Sequence, residues 1–444
     1  MIEARTLVSV MVALWVSACS LDNPGREPPA GQLNFPIALE LSPGSPPRFL
    51  LLANSNFDLR YNGGSLQVFD LEALETLLPA CDGCALDPAE DGLLRAEVVV
   101  GSHVSGLALS PAGDRVYLAV RSDLNLTFVD VSDSGSLSCG GRGQRQRCAD
   151  AFRRGDEAVA SERNISLPTD PVGLVAGSLD ELGLVDGGDY VLMGHRPGRV
   201  SLFLDKAEGV TDAPVLVHVV GDLPEGLVNI QMEPGTGLAW LPSSSGDRIA
   251  RVGIALDARS RDLLRSFVYD AGAVTLRGVD DGRDTRDIGF GAGPDGKRRA
   301  YVLARRPEAL LVADIDDATP FTMDVTDAIA VGYGPSRMAV TELDVGGTPR
   351  TFVLVSCFDS RDIYIIDPAM GQTVSVIRGM SGPFEVAVDP ARALVYIADF
   401  RASVVRVATL RPLLDCLNGA ADATSCEPRV VATIGTPNPV GELL

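Results

Sequence analysis

The stretch GPFEVAVDPARALVYIADFRASVVRVATL, residues 382–410, decides the fold of this 444-residue chain. It opens with a turn, and apolar side chains alternate with others from Phe384 to Val388. A turn at 389–390 leads into a second strand, Leu394 to Ala398, and a third strand runs from Val404 to Ala408. Alternation with a period of two, broken by frequent turns, predicts antiparallel β-strands.

Six earlier segments repeat this plan, so the chain holds seven copies of one unit. The copies begin at Asn34, His103, Asp170, Gly226, Asp287, Gly334 and Gly382. A fourth strand often precedes the next copy, as in AEVVVG from Ala96 and RVVATIG from Arg429. Such radial repetition is propeller architecture, because one unit cannot bury both of its faces alone. We therefore predict an all-β fold, a seven-bladed β-propeller of four-stranded antiparallel blades, over residues 33–444.

An aspartate ends the third strand in six of the seven copies. We predict a structural role, in which it caps the following turn by accepting backbone N–H hydrogen bonds. The residues are Asp70, Asp130, Asp205, Asp257, Asp314 and Asp367.

The units resemble the YVTN-type β-propeller repeat of bacterial surface and envelope proteins. The likeness is carried by HVSGLALSPAGDRVYLAV from His103 and GPFEVAVDPARALVYIAD from Gly382. The namesake tetrad corresponds to Leu51–Asn54 and Tyr396–Asp399, among others. The resemblance implies a propeller in the cell envelope, but it says little about activity, because propellers host many functions.

The first residues form a targeting segment. Leu7 to Val16 is apolar or small, too short to span about 30 Å of hydrocarbon, and suits a signal-peptide core. It ends in Val16-Ser17-Ala18-Cys19, which resembles the lipobox of bacterial lipoproteins. The resemblance implies a lipoprotein signal peptide over residues 1–18 and a diacylglycerol thioether on Cys19. Ser20 then favours the outer membrane. The alternative is an ordinary signal peptide cleaved near Ala18. Residues 19–32 are polar and rich in Pro and Gly, as in a lipid-anchored tether.

Apart from Cys19, the cysteines form three close pairs and leave Cys357 alone. Exported proteins oxidise such pairs. We therefore predict disulfides in the loops between the third and fourth strands of blades one, two and seven. The cysteines are Cys81 with Cys84, Cys139 with Cys148, and Cys416 with Cys426. A redox or zinc role for the first pair is the alternative. Cys357 lies in a strand and is predicted to be a small buried hydrophobe.

Charge and motifs limit the function classes. A formal net charge of −21 argues against a nucleic-acid partner, which needs a basic face. With three histidines and none of the common catalytic motifs, we predict no catalytic residue, no metal site and no cofactor. A non-catalytic binding or scaffold propeller is favoured. The alternative is a metal-dependent hydrolase or lactonase with its site in the central channel. The side chains available for such a site are Glu40, Asn54, Glu233, Glu385 and Asp399.

Arginine recurs in the loops that share one face of a propeller. The second-to-third-strand loops contribute the predicted ligand-binding residues, Arg121, His195, Arg196, Arg306, Arg361 and Arg401. The blade-to-blade loops add His103 and Arg337. Converging guanidinium groups bind oxyanions in two places at once. The predicted partners are the membrane, through the N-terminal lipid, and an anionic glycan or another envelope protein. The alternative is that each arginine pairs with a nearby aspartate on a solvated rim, worth about 0–1 kcal/mol.

Overall fold

The computed structural model describes most of the chain from residue 25 onward. The described ranges are 25–141, 146–155, 165–183, 187–207, 213–246, 248–257, 263–278, 283–293, 295–419 and 426–437. The predicted signal peptide, Cys19 and the first part of the tether lie outside these residues. Among the described helices, none is long and apolar enough to cross a membrane.

Seven blades follow one another along the chain, each contiguous in sequence, which confirms the predicted propeller. In every blade the strands are antiparallel and run outward from the channel in chain order. Blade 1 comprises Pro36–Leu41, Phe49–Asn54, Gly64–Asp70 and Leu94–Val100. Blade 2 comprises Val104–Leu109, Arg115–Val120 and Asn125–Val131, with the short strands Leu137–Ser138 and Arg153–Arg154 at its outer edge. Blade 3 comprises Pro171–Ser178, Asp189–His195, Arg199–Asp205 and Val215–Val220.

The remaining blades keep this order. Blade 4 comprises Gln231–Met232, Leu238–Leu241, Arg248–Ala255 and Phe267–Arg277. Blade 5 comprises Arg283–Ala292, Arg298–Arg306, Glu308–Asp314 and Thr322–Ala330. Blade 6 comprises Pro335–Val345, Thr348–Cys357, Asp362–Asp367 and Gln372–Ile377. Blade 7 comprises Pro383–Asp389, Leu394–Asp399, Val404–Thr409 and Arg429–Ile434. The helices within the described ranges are short: Leu71–Leu77, Leu78–Ala80, Asp150–Phe152, Leu179–Leu182, Leu263–Arg265 and Arg411–Leu417.

Two loop strands bind neighbouring blades together. Cys84–Leu86, from a loop of blade 1, pairs in parallel with the outer strand of blade 7. Gln146–Arg147, from a loop of blade 2, pairs in parallel with the outer strand of blade 1. The ring therefore closes through a loop strand and through apolar packing, in which Leu50 and Leu52 share one buried cluster with Tyr396.

The three predicted disulfides are present. Their Cα atoms lie 5.2, 4.8 and 5.6 Å apart for the pairs beginning at Cys81, Cys139 and Cys416. These distances are within the normal range for such bonds. Cys357 is buried and free. Disulfides persist in oxidising compartments, which indicates an extracytoplasmic protein.

Loss of the last disulfide is expected to destabilise the propeller. The variant Cys416→Ser/Cys426→Ser frees a loop closed over a sequence separation of 10 residues. Chain-entropy arguments give about 2–3 kcal/mol for a loop of this size. Urea unfolding of oxidised wild type and variant measures the loss. Equal unfolding midpoints and slopes would show that this cross-link adds nothing to stability.

Where the structure describes the following turn, the third-strand aspartates of two blades cap it. Asp70 accepts hydrogen bonds from the backbone of Glu72 and Ala73 at the start of a helix. Asp367 accepts them from Ala369 and Met370. Several of these aspartates also pair with arginines of their own or a neighbouring blade. The pairs are Asp70 with Arg95, Asp130 and Asp205 with Arg115, Asp314 with Arg299, and Asp367 with Arg350.

The described part of the tether lies against blade 1. The backbone N–H of Asn62 donates to the Arg26 carbonyl at 2.8 Å. The Arg26 guanidinium lies 5.7 Å from the ring centre of Tyr61. Further along, the backbone N–H of Gly31 donates to the Glu97 carboxylate at 3.1 Å. This segment therefore starts beside the second-to-third-strand loop of blade 1.

Candidate functional site

The upper face is defined here as the one that carries the second-to-third-strand loops and the blade-to-blade loops; the lower face carries the other loops. Six of the innermost strands are bulged within their first five residues, just below the upper face. A bulge re-aims a side chain out of the normal alternation. The bulged side chains here line the mouth of the central channel: Ile37, Ser105, Val172, Arg286, Ser336 and Phe384.

The backbone before these strands is also unusual. The preceding residue has a positive φ in three blades although it is not glycine: Phe35 (54°), His103 (55°) and Asp170 (56°). In blade 5 the second residue of the strand, Asp284, has the same conformation (60°). A left-handed backbone conformation is uncommon for residues that have a Cβ, and such residues cluster at functional sites. The repeated turn fixes the direction in which each innermost strand enters the channel.

A cavity of about 280 Å³ opens at this mouth, and side chains from all seven blades line it. Five arginines contribute to the lining: Arg121, Arg196, Arg286, Arg305 and Arg337. Four phenylalanines do the same: Phe57, Phe358, Phe384 and Phe400. We call these two sets the arginine half and the phenylalanine wall. The wall belongs to blades 1, 6 and 7, and the arginine half to blades 2, 3, 5 and 6.

Three arginines of the cavity have carboxylate partners. Arg121 pairs with Asp170 at 2.5 Å, and Arg286 pairs with Asp284 at 2.6 Å. Arg337 is buried and lies 3.7 Å from Glu385. The predicted solvated-rim pairing is therefore seen for Arg121, although its partner comes from the next blade.

Two arginines of the cavity carry charge that no close ion pair neutralises within the described residues. Arg196 is exposed at the mouth. Arg305 donates to the backbone carbonyl of Pro335 at 3.0 Å. Burial and the positive charge of Arg286 lower the pKa of Arg305, and the negative charges of Asp284 and Asp359 oppose this shift. Guanidinium groups held close together favour a bound anion, which relieves their repulsion.

The phenylalanine wall is a connected aromatic cluster. Phe400 lies 5.6 Å from Phe57, 6.2 Å from Phe358 and 6.2 Å from Phe384, measured between ring centres. Phe35 packs behind it at 5.0 Å from Phe400. Phe57 is 56% exposed, so the outer part of the wall stays open to solvent.

A polar layer lies directly beneath the mouth. The Asn229 amide donates to Asp287 at 2.7 Å, and Asp287 also accepts the backbone N–H of Met338 at 2.9 Å. Burial raises the pKa of Asp287, and Arg337 opposes that shift. Glu385 adjoins Arg337 in the next blade. These acidic and amide groups do not line the cavity; they lie behind its lining, where they hydrogen-bond to one another and approach Arg337.

Two glutamates of the channel have perturbed acidities. Burial raises the pKa of Glu385 to about 8; Arg337 opposes this, while Asp287 and Glu40 add to it. Burial raises the pKa of Glu40 to about 7. Both carboxyls therefore change their charge near neutral pH.

Removing the charge of Glu385 is expected to change the pH dependence of stability. The raised pKa means that the folded state favours the protonated form of Glu385. The carboxyl therefore contributes its full share to the free energy of unfolding below pH 4.5, and this share is lost as the pH rises through about 8. Glu385→Gln stays neutral and should be more stable than wild type at pH 9, by on the order of 2 kcal/mol, but not at pH 5. Urea unfolding across this range measures it, with the exposed Glu90→Gln as control. A difference that does not vary with pH would contradict the assignment.

The structure brings together some of the predicted ligand-binding residues. Arg121, Arg196, His103 and Arg337 line the cavity. Arg306, Arg361, Arg401 and His195 are not among its lining residues. His195 is fully buried, accepts or donates a 2.8 Å hydrogen bond with Ser201, and burial lowers its pKa to about 4.

The other predicted arginines lie around the cavity rather than in it. Arg306 and Arg361 are exposed. Arg401 lies 4.4 Å from the ring centre of Phe358 and 3.9 Å from the Asp359 carboxylate. Arg401 therefore contacts the phenylalanine wall directly but does not line the cavity.

The candidate metal-site residues do not converge on one point. Among the described residues, no group of three or more His, Cys, Asp or Glu side chains is placed to hold a metal ion. Glu233 accepts hydrogen bonds from Trp240 and Arg298. Asp399 accepts the backbone N–H groups of Ser381 and Gly382, which is a structural use of its carboxylate.

Comparisons with known proteins match the fold. No protein-family model and no curated protein matches the chain. The Kuenenia stuttgartiensis hydrazine synthase structure aligns with a TM-score of 0.53 at 13% identity, covering 84% of this chain and 95% of that one. A Lactobacillus plantarum protein gives 0.50 at 12% identity, with 84% and 93% covered. The Pseudomonas aeruginosa periplasmic gluconolactonase gives 0.47 at 16% identity, with 77% and 84% covered. At these identities the likeness shows the β-propeller fold alone.

Proposed function

We propose that this protein is a non-catalytic binding propeller of the cell envelope that captures anionic groups at the upper mouth of its channel. The observation that carries the proposal is the arginine half, in which Arg196 and Arg305 have no close carboxylate partner within the described residues. Bidentate guanidinium contacts suit carboxylate, phosphate or the acid group of a sugar. The bulges that line this mouth are devices that re-aim side chains, as expected at a binding site.

The size of the cavity limits what enters it. At about 280 Å³ it is slightly smaller than most small-ligand pockets, which start at about 300 Å³. A whole glycan chain is too large. An anionic glycan or a partner protein would therefore present one terminal acidic group to the mouth and keep the rest outside.

Binding should depend on the two unpaired arginines. Arg196→Ala/Arg305→Ala is expected to weaken binding of glucuronate and of inorganic phosphate at least tenfold, since hydrogen bonds to charged groups contribute about 1.5–3 kcal/mol each. Isothermal titration calorimetry measures the affinity. Arg411→Ala is the matched control, because Arg411 is an exposed arginine that follows a third strand and so lies on the lower face. Equal affinity in the double variant, or no binding by wild type, would overturn the proposal.

We also propose that the chain is a YVTN-type lipoprotein, anchored through Cys19 and sorted to the outer membrane. The lipobox-like run and the three disulfides support an exported, anchored protein. Mass spectrometry of the mature N-terminus is expected to find a diacylated cysteine at residue 19. An unmodified N-terminus downstream of this cysteine would contradict the anchor and leave the binding proposal intact.

A further inference from the structure

We propose that the ligand of the upper mouth is a small amphipathic anion, whose acid group lies on the arginine half and whose apolar body lies on the phenylalanine wall. This inference rests on the proposed function and adds the chemical class of the ligand. An aromatic carboxylate and a short fatty acid have this chemistry. A conjugate that joins an acidic sugar to an apolar aglycone has it as well.

The first observation is that the wall and the two arginines without a close carboxylate partner come from different blades of the ring. The wall is contributed by Phe57 of blade 1, Phe358 of blade 6, and Phe384 and Phe400 of blade 7. The unpaired guanidinium groups face it from Arg196 of blade 3 and Arg305 of blade 5. A site for a purely hydrophilic anion gains nothing from a wall of four aromatic rings.

The second observation is that this wall is not closed core. Phe57 is 56% exposed and Leu59, in the same loop, is 60% exposed. Burying apolar surface stabilises a protein or complex by about 25 cal/mol for each Å² removed from water, and these exposed side chains forgo that stabilisation. Clustered exposed apolar side chains at the rim of a concave site mark a surface that a ligand covers.

The third observation fixes the orientation of the ligand. Behind the lining of the cavity lie the carboxyls of Asp287 and Glu385, both close to Arg337. A second acid group at that depth would meet these carboxyls. The anion must therefore stay at rim level, opposite the wall, with only an apolar or hydrogen-bond-donating part below it.

A homologous series separates the contributions of charge and apolar body. Acetate, butyrate, hexanoate and octanoate carry the same acid group on an alkyl chain of increasing length. Calorimetric affinity of wild type is expected to rise along the series, by up to about fourfold for each methylene that becomes buried. Phe57→Ser should flatten this rise and leave acetate binding unchanged. Arg196→Ala/Arg305→Ala should weaken every member of the series by a similar factor.

The control is Phe321→Ser. Phe321 is 59% exposed and precedes the outer strand of blade 5, on the lower face, so its loss should leave the series unchanged. Acetate binding without any dependence on chain length would overturn this inference and leave the proposed function standing. A rise that persists in Phe57→Ser as in wild type would also overturn it. Absence of binding for every carboxylate and for phosphate would remove the proposed function itself.

Discussion

Asp205→Ala is expected to destabilise the propeller by about 3–5 kcal/mol, the range found when one partner of a buried ion pair is removed. Asp205 has no exposed surface and ends the third strand of blade 3. It accepts two hydrogen bonds from Arg115 of blade 2, at 2.8 and 2.9 Å, and one from the Tyr117 hydroxyl at 2.5 Å. Removing the carboxylate would leave the buried guanidinium of Arg115 with one partner, Asp130.

Asp130→Ala is the matched control for this prediction. Asp130 pairs with the same Arg115 at 2.7 Å, but its side chain is 42% exposed. Its loss should cost about 1 kcal/mol or less, because water replaces an exposed partner. Urea unfolding monitored by tryptophan fluorescence and circular dichroism measures both variants. Equal losses for the two aspartates would show that burial does not set the strength of this contact.

Asp287→Ala is expected to be comparably destabilising and to weaken anion binding as well. Its carboxylate is 1% exposed and accepts hydrogen bonds from Asn229, from its neighbour Ile288 and from Met338. These contacts join the segment before the innermost strand of blade 4 to the innermost strands of blades 5 and 6. Without them a buried amide and two backbone N–H groups lose their acceptors, and Arg337 loses a stabilising charge, at a combined cost of about 3–5 kcal/mol.

Asp287→Asn separates the two effects in this prediction. Asparagine keeps the shape and part of the hydrogen bonding but removes the charge. If the charge beside Arg337 matters, this variant should also lose stability, while retaining more affinity for carboxylates than Asp287→Ala. Unfolding and calorimetry of both variants decide this. Wild-type stability in Asp287→Ala would contradict the assigned role of the polar layer.

The fold was readable from the sequence because alternation and turns are local. The run from Phe384 to Ala408 predicts its three strands, and the same pattern recurs around the ring. Disulfide pairing was also predictable, since each pair is close in sequence. The loop strand Cys84–Leu86 was not, because its pairing with blade 7 joins segments almost 350 residues apart and depends on ring closure.

The candidate site was only partly predictable. Arg121 and Arg196 each directly follow the second strand of their blade, and both line the mouth. The sequence prediction names Arg306, whereas the adjacent Arg305 lines the cavity. Sequence spacing alone does not show which of two adjacent side chains enters the channel. Arg286 and Phe384 reach the mouth through bulges, which disturb the alternation on which strand prediction depends. The phenylalanine wall gave no signal, since its members are dispersed over 344 positions from residue 57 to residue 400.

The contact between the tether and blade 1 bears on how the molecule would sit at a bilayer. Gly25 and Arg26 lie beside Tyr61 and Asn62, in a loop of the upper face. Six peptide units separate Cys19 from Gly25, and fully extended they reach about 20 Å. A lipid on Cys19 would therefore hold the upper face within that distance of the membrane surface. The channel mouth would then open toward the headgroups, and amphipathic anions partitioning into that layer would reach it before those in bulk solution.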